Sequence, residues 1–192
     1  MTTIVWAPYG EHILCSNTAE TAQTVTMGRD MISRRSMMVG TALGLAGCTP
    51  KIQSYDGPDV TRVQVFKEQR TLQLLHHRTL LRDYKFDLGF TPVGHKVHEG
   101  DGRTPEGTYR VDRRNHNSRF HLSLGISYPN ANDVAYAREL GLEPGGDIFI
   151  HGTPQKWIGT PDWTWGCIAV QNEEMEEIFA MVHTGTLITL YA

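Results

Sequence analysis

The sequence predicts a mainly β domain with two short helices. Three observations lead to this prediction. Apolar and polar residues alternate with a period of two in several short runs, Gly, Pro and Asp separate these runs, and helical apolar spacing is clear in one segment near the C-terminus. The chain has 192 residues, a length that corresponds to one domain with an additional terminal segment.

The first half of the domain is predicted to form strands joined by one long loop. Alternating side chains predict a hairpin or meander over residues 61–86. Residues 88–107 are rich in Gly, Pro, Asp and His, which predicts a loop. Two further strands are predicted at residues 107–111 and 120–124.

The second half is predicted to contain both helices. Asp133 suits the N-cap of a short helix over residues 133–140, and Asn172 suits the N-cap of a longer one. Strands are predicted at residues 147–150 and 186–191. Spacings of i, i+3, i+4 and i+7 give the longer helix one apolar face, formed by Met175, Ile178, Phe179 and Val182.

The charge and hydropathy patterns do not indicate a nucleic-acid partner or a membrane-spanning helix. The formal net charge is −3, so no basic surface argues for a nucleic-acid partner. No apolar run reaches the roughly 18 residues expected of a membrane-spanning helix. The sequence has no tandem repeat and no low-complexity tract.

A shorter apolar run near the start resembles an export signal. Residues 33–48 read SRRSMMVGTALGLAGC, in which two arginines precede a run of apolar and small residues. The alternative is a buried core helix, but three glycines and polar flanks weaken it. We therefore expect residues 1–47 to be an N-terminal extension and export signal that is removed. The paired arginines also resemble a twin-arginine signal, and Met27 or Met31 is an alternative start.

The end of this run predicts a lipid anchor. Residues 45–48, Leu-Ala-Gly-Cys, resemble the lipobox of bacterial lipoproteins, which makes Cys48 the expected lipidation site. Residues 48–60 are polar and contain Pro and Gly, so we expect a lipid-attached tether. The expected location is the periplasm, with the inner leaflet of the outer membrane favoured because Thr49 follows the cysteine.

One cysteine remains to be explained after this processing. The chain has three cysteines, and removal of residues 1–47 with lipidation of Cys48 leaves Cys167 as an unpaired thiol in an oxidising compartment. A thiol nucleophile needs a base and an oxyanion site. His151 stands at the end of a predicted strand, and the Gly166 and Cys167 N–H groups are candidate oxyanion donors. A structural histidine is the alternative for His151.

Four motifs in order resemble the L,D-transpeptidase catalytic domain (YkuD) family. They are His-Gly at residues 151–152, the Gly-Cys segment with its preceding DWT at residues 162–167, the TPEGTY segment at residues 104–109, and the strand and loop at residues 120–130. The TPEGTY segment resembles the family's TPxGxY segment, whereas the strand and loop at residues 120–130 and the DWT segment are similar to those of small Gram-negative members. The resemblance covers residues 61–192 and implies a YkuD-type β-sandwich-like catalytic domain there.

The resemblance also implies a reaction. Cys167 would attack a peptidoglycan stem peptide, His151 would act as acid and base, and a main-chain carbonyl at Gly152 would orient the His151 ring. The acyl group would pass to an amine, as an L,D-transpeptidase does, in cell-wall organisation and cell shape. Gly166 is the expected oxyanion N–H donor. No cofactor is implied, and the protein partner is unknown.

Two departures from the family pattern leave other functions open. Trp165 stands where many members have a second histidine, and Ala169 stands where many have arginine. An indole does not exchange protons near neutral pH. One alternative is an L,D-amidase or carboxypeptidase that hydrolyses stem-peptide or protein–peptidoglycan links. The other is a non-catalytic peptidoglycan-binding lipoprotein.

Several further residues are candidates for substrate binding. The arginines can bind a stem-peptide carboxylate and the other side chains can line the cleft; the candidates are Arg103, Arg110, His121, Tyr128 and Trp165. The histidine pairs at residues 76–77 and 95–98 lack Cys or carboxylate partners at ligand spacing, so no metal site is predicted. Asp101 and Glu106 are better explained by a Gly- and Pro-containing turn than by a catalytic carboxylate pair.

Overall fold

The fold is mainly β with two short helices, which confirms the predicted class. A computed structural model describes residues 53–192, so the predicted export signal and Cys48 lie outside the described residues. The strands are β1 Arg62–Phe66, β2 Thr71–His76, β3 Thr79–Lys85, β4 Gly107–Asn115, β5 Ser123–Ile126, β6 Phe149–Gly152, β7 Ile168–Val170 and β8 Leu187–Tyr191. The helices are α1 Ala131–Glu139 and α2 Asn172–Met181, with a 3-10 turn at Gln155–Trp157.

The strands form one sheet in the order β3-β2-β1-β8-β4-β5-β6-β7. Most neighbours are antiparallel, whereas β1 with β8 and β6 with β7 are parallel. Strand β4 joins the two parts of the sheet. Its first residues pair with β8, its later residues pair with β5, and its register with β5 shifts between Val111 and Arg113. A register shift of this kind bends a strand.

Alternation along the strands places the core. Val63 and Val65 of β1 are buried, as are Leu72 and Leu74 of β2, because every second side chain faces the same side. In contrast, β5 and β7 are buried along their whole length. Helix α2 packs against β5 and β6. The short strands β5 and β7, which flank β6 in the sheet, are therefore enclosed on both faces.

Both helices begin at a cap different from the predicted one. Helix α1 is capped by Asn130, whose Oδ1 accepts the N–H groups of Asn132 (2.8 Å) and Asp133 (3.1 Å). Asp133 lies three residues into the helix and accepts the Asn130 N–H at 2.8 Å. The predicted cap at Asp133 is therefore wrong, because the acidic residue is the second half of a capping box.

Helix α2 also begins earlier than predicted. Its cap is Gln171, whose N–H donates to the Glu174 carboxylate at 3.0 Å, so the predicted cap at Asn172 is wrong by one residue. Met175, Ile178 and Phe179 are buried as predicted. A glutamate at the third helical position satisfies the cap N–H regardless of which polar side chain precedes it.

Two strands lie two or more residues further along the chain than predicted. His121 has φ of 72° and Asp147 has φ of 54°, values that a regular strand excludes. Strand β5 therefore begins at Ser123 and β6 at Phe149. As a result, His151 lies within β6 and is held by strand hydrogen bonding on both sides.

The described part of the predicted tether, residues 53–60, forms no helix or strand but contacts the domain. Val60 is buried in the core, and Tyr55 packs against it. Asp59 O accepts a hydrogen bond from His76 Nδ1 at 2.8 Å. Among residues 53–192, no helix has the length and apolar character needed to cross a bilayer.

Candidate functional site

Adjacent parallel strands bring Cys167 and His151 to one cavity. His151 of β6 is paired with Ala169 of β7, and Cys167 immediately precedes β7. Both residues line a cavity of about 420 Å³. Its other lining residues come from the β4–β5 connection and from β6: Asn115, Asn117, Ser118, Arg119, Phe120, Ser123, Asp147 and Phe149.

A main-chain hydrogen bond fixes the protonation of the His151 ring. His151 Nδ1 lies 2.8 Å from Gly152 O. A carbonyl oxygen only accepts hydrogen bonds, so Nδ1 must carry the proton and Nε2 must carry the lone pair. The ring thus has the tautomer of a base, in the orientation that the family resemblance implies.

Aromatic side chains surround the same ring. Phe120 stacks on His151 with ring centroids 4.6 Å apart, and Trp163 packs against it at 5.6 Å. Trp157 in turn stacks on Trp163 at 5.3 Å. Burial lowers the pKa of His151 to about 4, although its hydrogen bond to Gly152 acts in the opposite direction. The imidazole is therefore neutral at pH 7.

The Cys167 thiol is also neutral in the resting structure. Its Sγ donates to Asp147 O at 3.5 Å, and the residue is partly exposed. Burial of the sulfur raises the pKa of Cys167 to about 11; the Phe149 N–H and the charge of Lys96 lower this pKa. Within residues 53–192, no hydrogen bond joins Sγ to the His151 ring. The two groups share a cavity as thiol and imidazole.

The loop that carries Cys167 is held by close backbone packing. Gly166 has φ of 117°, and a Cβ there would overlap Arg103 O. A Cβ at Gly89 would overlap Gly102 O and lie 2.7 Å from Gly166 N. At Gly166 only glycine fits, because it lacks a Cβ and tolerates positive φ. At Gly89 the close contacts alone require a residue without a Cβ.

Two buried threonines fasten this loop. Thr104 Oγ1 donates to Gly166 O at 2.8 Å, and Thr164 Oγ1 donates to Cys167 O at 2.7 Å. Both threonines are buried. Asp162, at the start of the loop, forms an ion pair with Arg70 and accepts the Leu88 N–H at 3.0 Å. The loop is therefore fixed at its start and on both sides of the cysteine.

A second cavity, of about 550 Å³, meets Cys167 from another side. Its other lining residues are Lys96, Glu99, Gly100, Gly145, Gly146, Asp147, Ile148 and Trp165. Lys96 is buried, and its Nζ donates to Asp101 at 2.9 Å and to His98 O at 3.1 Å. An ammonium group has three donors, so the described contacts leave one N–H of Lys96 unused.

Gly152 and Gly166 are the glycines predicted to contribute main-chain groups to the site. A Cβ at Gly152 would overlap Asn172 Oδ1, so glycine allows the strand to approach α2. The Gly166 N–H points to Thr164 Oγ1 at 3.2 Å. This contact has to break before Gly166 can serve as an oxyanion donor, which favours the Cys167 N–H for that role.

The predicted substrate-binding side chains are dispersed. Trp165 is exposed and lines the second cavity. Tyr128 is buried and donates to Pro144 O at 3.1 Å, a position that does not support cleft lining. His121 is paired with Glu176 at 2.7 Å, and Arg110 donates to Gly185 O at 2.8 Å. None of these last three lines either cavity at Cys167.

Arg103 contacts the cysteine loop through its main chain. Its main chain packs against Gly166, whereas its Nε is buried without a hydrogen-bond partner among the described residues. The side chain is not among those lining the two cavities. Its predicted carboxylate-binding role therefore has no support from its position, and its main chain instead supports the cysteine loop.

Sequence reasoning missed three residues near Cys167. Arg119 is exposed and lines the first cavity, Lys96 lines the second, and Phe90 packs edge-on against Trp165. Only Arg119 had a sequence signal, because it precedes the Phe120 segment. Within residues 53–192, no group of three His, Cys, Asp or Glu side chains is arranged to hold a metal ion.

The fold and site define a β protein with a thiol and an imidazole facing a shared cavity. The sequence model of the L,D-transpeptidase catalytic domain, YkuD, matches residues 61–190. The chain belongs to this family. It is 35% identical over 132 residues to "Putative L,D-transpeptidase YafK" of Escherichia coli (strain K12). The aligned region covers 66% of this chain and 48% of that protein.

Solved structures show the same fold. A point mutant of the helical cell shape determining protein Pgp2 from Campylobacter jejuni is 26% identical, with a TM-score of 0.55 over 71% of this chain and 48% of that one. Bd1075 of Bdellovibrio bacteriovorus is 22% identical, with a TM-score of 0.50; the match covers 73% of this chain and 50% of that one. The chain spans about half the length of these relatives.

We expect the Cys167 thiol to react slowly at neutral pH. Because burial raises its pKa to about 11, iodoacetamide alkylation should rise about tenfold per pH unit from pH 7 to pH 10. The measurement uses a chain with Cys15→Ser and Cys48→Ser, in which Cys167 is the single thiol. A rate that levels off below pH 8 would contradict the neutral resting thiol.

We expect Gly166→Ala to destabilise the domain more than Gly159→Ala. Both glycines have positive φ, but a Cβ at Gly159 meets nothing within 4 Å. The shared φ strain costs about 1–3 kcal/mol in each variant. Overlap with Arg103 O should cost Gly166→Ala about 1–3 kcal/mol more in the free energy of unfolding, measured with urea. Equal losses would show that the close packing at Gly166 relaxes freely.

Proposed function

We propose that this chain is a peptidoglycan L,D-transpeptidase that acylates Cys167 with a stem peptide and transfers the acyl group to an amine. The observation that carries the proposal is the shared cavity of Cys167 and His151, in which the Nδ1–Gly152 contact leaves Nε2 as the base. Family membership supports the same reaction class. Cys167 is the nucleophile and His151 is the acid and base.

The first half-reaction breaks the scissile amide. His151 Nε2 takes the thiol proton as Sγ attacks the carbonyl carbon, and a tetrahedral oxyanion forms. The carbon–nitrogen bond then breaks, and the leaving amine takes the proton from Nε2. The product is a thioester on Cys167. Because both groups are neutral at rest, proton transfer accompanies the attack instead of preceding it.

The second half-reaction reverses these roles. The acceptor amine gives a proton to His151 Nε2 and attacks the thioester carbonyl. The carbon–sulfur bond breaks, the new amide forms, and the sulfur recovers the proton from Nε2. The Phe149 N–H and the charge of Lys96 both stabilise the departing thiolate, since both lower the pKa of Cys167.

The first cavity suits a substrate that carries carboxylates. Arg119 lies at this cavity with no ion pair among residues 53–192. Guanidinium groups bind carboxylates with two parallel hydrogen bonds. Stem peptides carry free carboxylates close to the attacked bond, so Arg119 is proposed to hold the acyl donor beside Cys167 and His151.

The sequence pattern at residues 33–60 supports a proposed setting for the enzyme. We propose a periplasmic protein whose residues 1–47 are removed, whose Cys48 carries lipid and whose residues 48–60 tether the catalytic domain to the inner leaflet of the outer membrane. Pgp2 is named for determining helical cell shape, and a role in cell-wall organisation and cell shape is proposed here by that likeness.

Hydrolysis is the second candidate function. Trp165 stands two residues before the nucleophile, is 71% exposed and supplies no imidazole that would deprotonate an acceptor amine. Water has access to a partly exposed Cys167. An L,D-amidase or carboxypeptidase would use the same acyl-enzyme with water as acceptor. A non-catalytic peptidoglycan binder would have no use for either the thiol or the oriented imidazole.

Purified muropeptides separate these functions. The chain is incubated with tetrapeptide muropeptides, and the products are analysed by mass spectrometry, with Cys167→Ala and His151→Gln as controls. Crosslinked dimers support transfer, and shortened monomers alone support hydrolysis. If wild type and Cys167→Ala give the same products, both enzymatic functions are excluded.

We expect Arg119→Ala to weaken substrate binding. Loss of one carboxylate contact should raise KM about tenfold while kcat falls less, because the arginine is not placed at the reacting atoms. Arg78→Ala is the matched control, since Arg78 is exposed in the turn between β2 and β3. A fall in kcat with unchanged KM would contradict the binding role.

A further inference from the structure

Two large aromatic side chains next to Cys167 are exposed to solvent. Trp165 is 71% exposed and Phe90 is 50% exposed. Their rings lie edge to face, with centroids 5.0 Å apart and planes at 84°. Exposed apolar surface beside a cavity commonly marks a binding site. We call this pair the aromatic ledge.

The ledge is built on rigid backbone. The Phe90 N–H donates to Thr164 O at 3.1 Å, and the neighbouring Thr91 N–H donates to Gly102 O at 3.3 Å. A Cβ at Gly102 would overlap the Phe90 ring. Trp165 lies between Thr164 and Gly166, which are both held by buried hydrogen bonds. The main chain is therefore held in place next to Phe90 and on both sides of Trp165, and this fixed backbone keeps the two rings exposed.

The ledge opens onto the nucleophile. Trp165 and Cys167 line the same cavity of about 550 Å³. Their Cα atoms are two residues apart, at most about 7 Å. The same cavity is also lined by three glycines and by Glu99, residues whose main-chain and carboxylate groups can form hydrogen bonds. Phe90 does not line this cavity and adjoins it through its contact with Trp165. A ligand that joins an apolar face to polar edges fits this combination.

We propose that the aromatic ledge binds a sugar ring of the peptidoglycan glycan while its stem peptide lies at Cys167. This inference rests on the proposed function. Stem peptides consist of alanine, glutamate and a diamino acid, none of which carries a ring. The amino-sugar rings attached to the stem have an apolar C–H face that stacks on aromatic rings, and hydroxyl and amide edges that hydrogen-bond.

The distances agree with this assignment. Three stem residues separate the attacked carbonyl from the sugar, which corresponds to about 10 Å in an extended chain. The indole of Trp165 projects from a backbone position at most about 7 Å from Cys167 and extends this reach further. A sugar on the ledge and a carbonyl at Sγ are thus compatible with one bound substrate.

The test compares two substrates that differ only in the sugar. The full chain is assayed with a disaccharide tetrapeptide and with the free tetrapeptide, as wild type, Trp165→Ala, Phe90→Ala and Tyr136→Ala. Tyr136 is the control, because it is 49% exposed on α1 and lines neither cavity. We expect wild type to prefer the disaccharide substrate about tenfold in kcat/KM, and both ledge variants to lose this preference.

Two outcomes would overturn the inference. One is a wild-type enzyme without preference for the disaccharide substrate, and the other is a Trp165→Ala variant that retains the preference. If wild type turns over neither substrate, the proposed function fails by itself. Binding of the disaccharide tetrapeptide to Cys167→Ala, measured by isothermal titration calorimetry, then decides the inference: binding weakened by Trp165→Ala supports it, and unaffected binding overturns it.

Discussion

The site depends on the close approach of three backbone segments at Gly89, Gly102 and Gly166. A Cβ at Gly89 would meet Gly102 O and Gly166 N, and a Cβ at Gly166 would meet Arg103 O. This packing sets the path of the loop that carries Cys167, aims Phe90 toward Trp165, and directs the Gly166 carbonyl at Thr104. The cavity walls, the position of Cys167 and the aromatic ledge all depend on this packing.

Burial and electrostatics then set the chemistry. Phe120 and Trp163 exclude water from His151, and Asp147 and Phe149 contact the Cys167 sulfur. The cost of burying charge keeps both groups neutral. A thiol protected in this way resists adventitious oxidation, since reactivity follows thiolate character. In the proposed reaction, polar groups of the bound substrate would supply the environment in which charge develops.

Much of the architecture follows from the sequence, because period-two alternation in β1 and β2 and helical spacing in α2 are local patterns. The His-Gly and Gly-Cys pairs likewise identified the two residues that share a cavity. The α1 cap was misplaced because a capping box puts an acidic residue, Asp133, three positions inside the helix. At α2 the predicted cap, Asn172, is the first helical residue, and the preceding Gln171 is the cap. Strand ends were displaced by positive φ at His121 and Asp147, which no side-chain pattern reveals.

Residues brought together by tertiary contacts were the ones missed. Lys96 and Phe90 lie in a loop far from Cys167 in sequence, and nothing local indicates that this loop folds against residues 164–166. Arg110 was predicted to bind a carboxylate and Tyr128 to line the cleft, but the fold gives their polar groups main-chain partners at Gly185 and Pro144. A motif thus indicates which chain segments lie near the site more reliably than it indicates where each side chain points.

The exposure of Trp165 has an evolutionary consequence. Its neighbours Thr164 and Gly166 are constrained by buried hydrogen bonds and by steric contact, so few substitutions are tolerated on either side. The indole itself is 71% exposed, and its ring contact is with Phe90, which is also exposed. Position 165, beside Cys167, can therefore be substituted without disturbing the main chain. In the proposed enzyme, such a change would alter substrate preference and leave the positions of Cys167 and His151 unchanged.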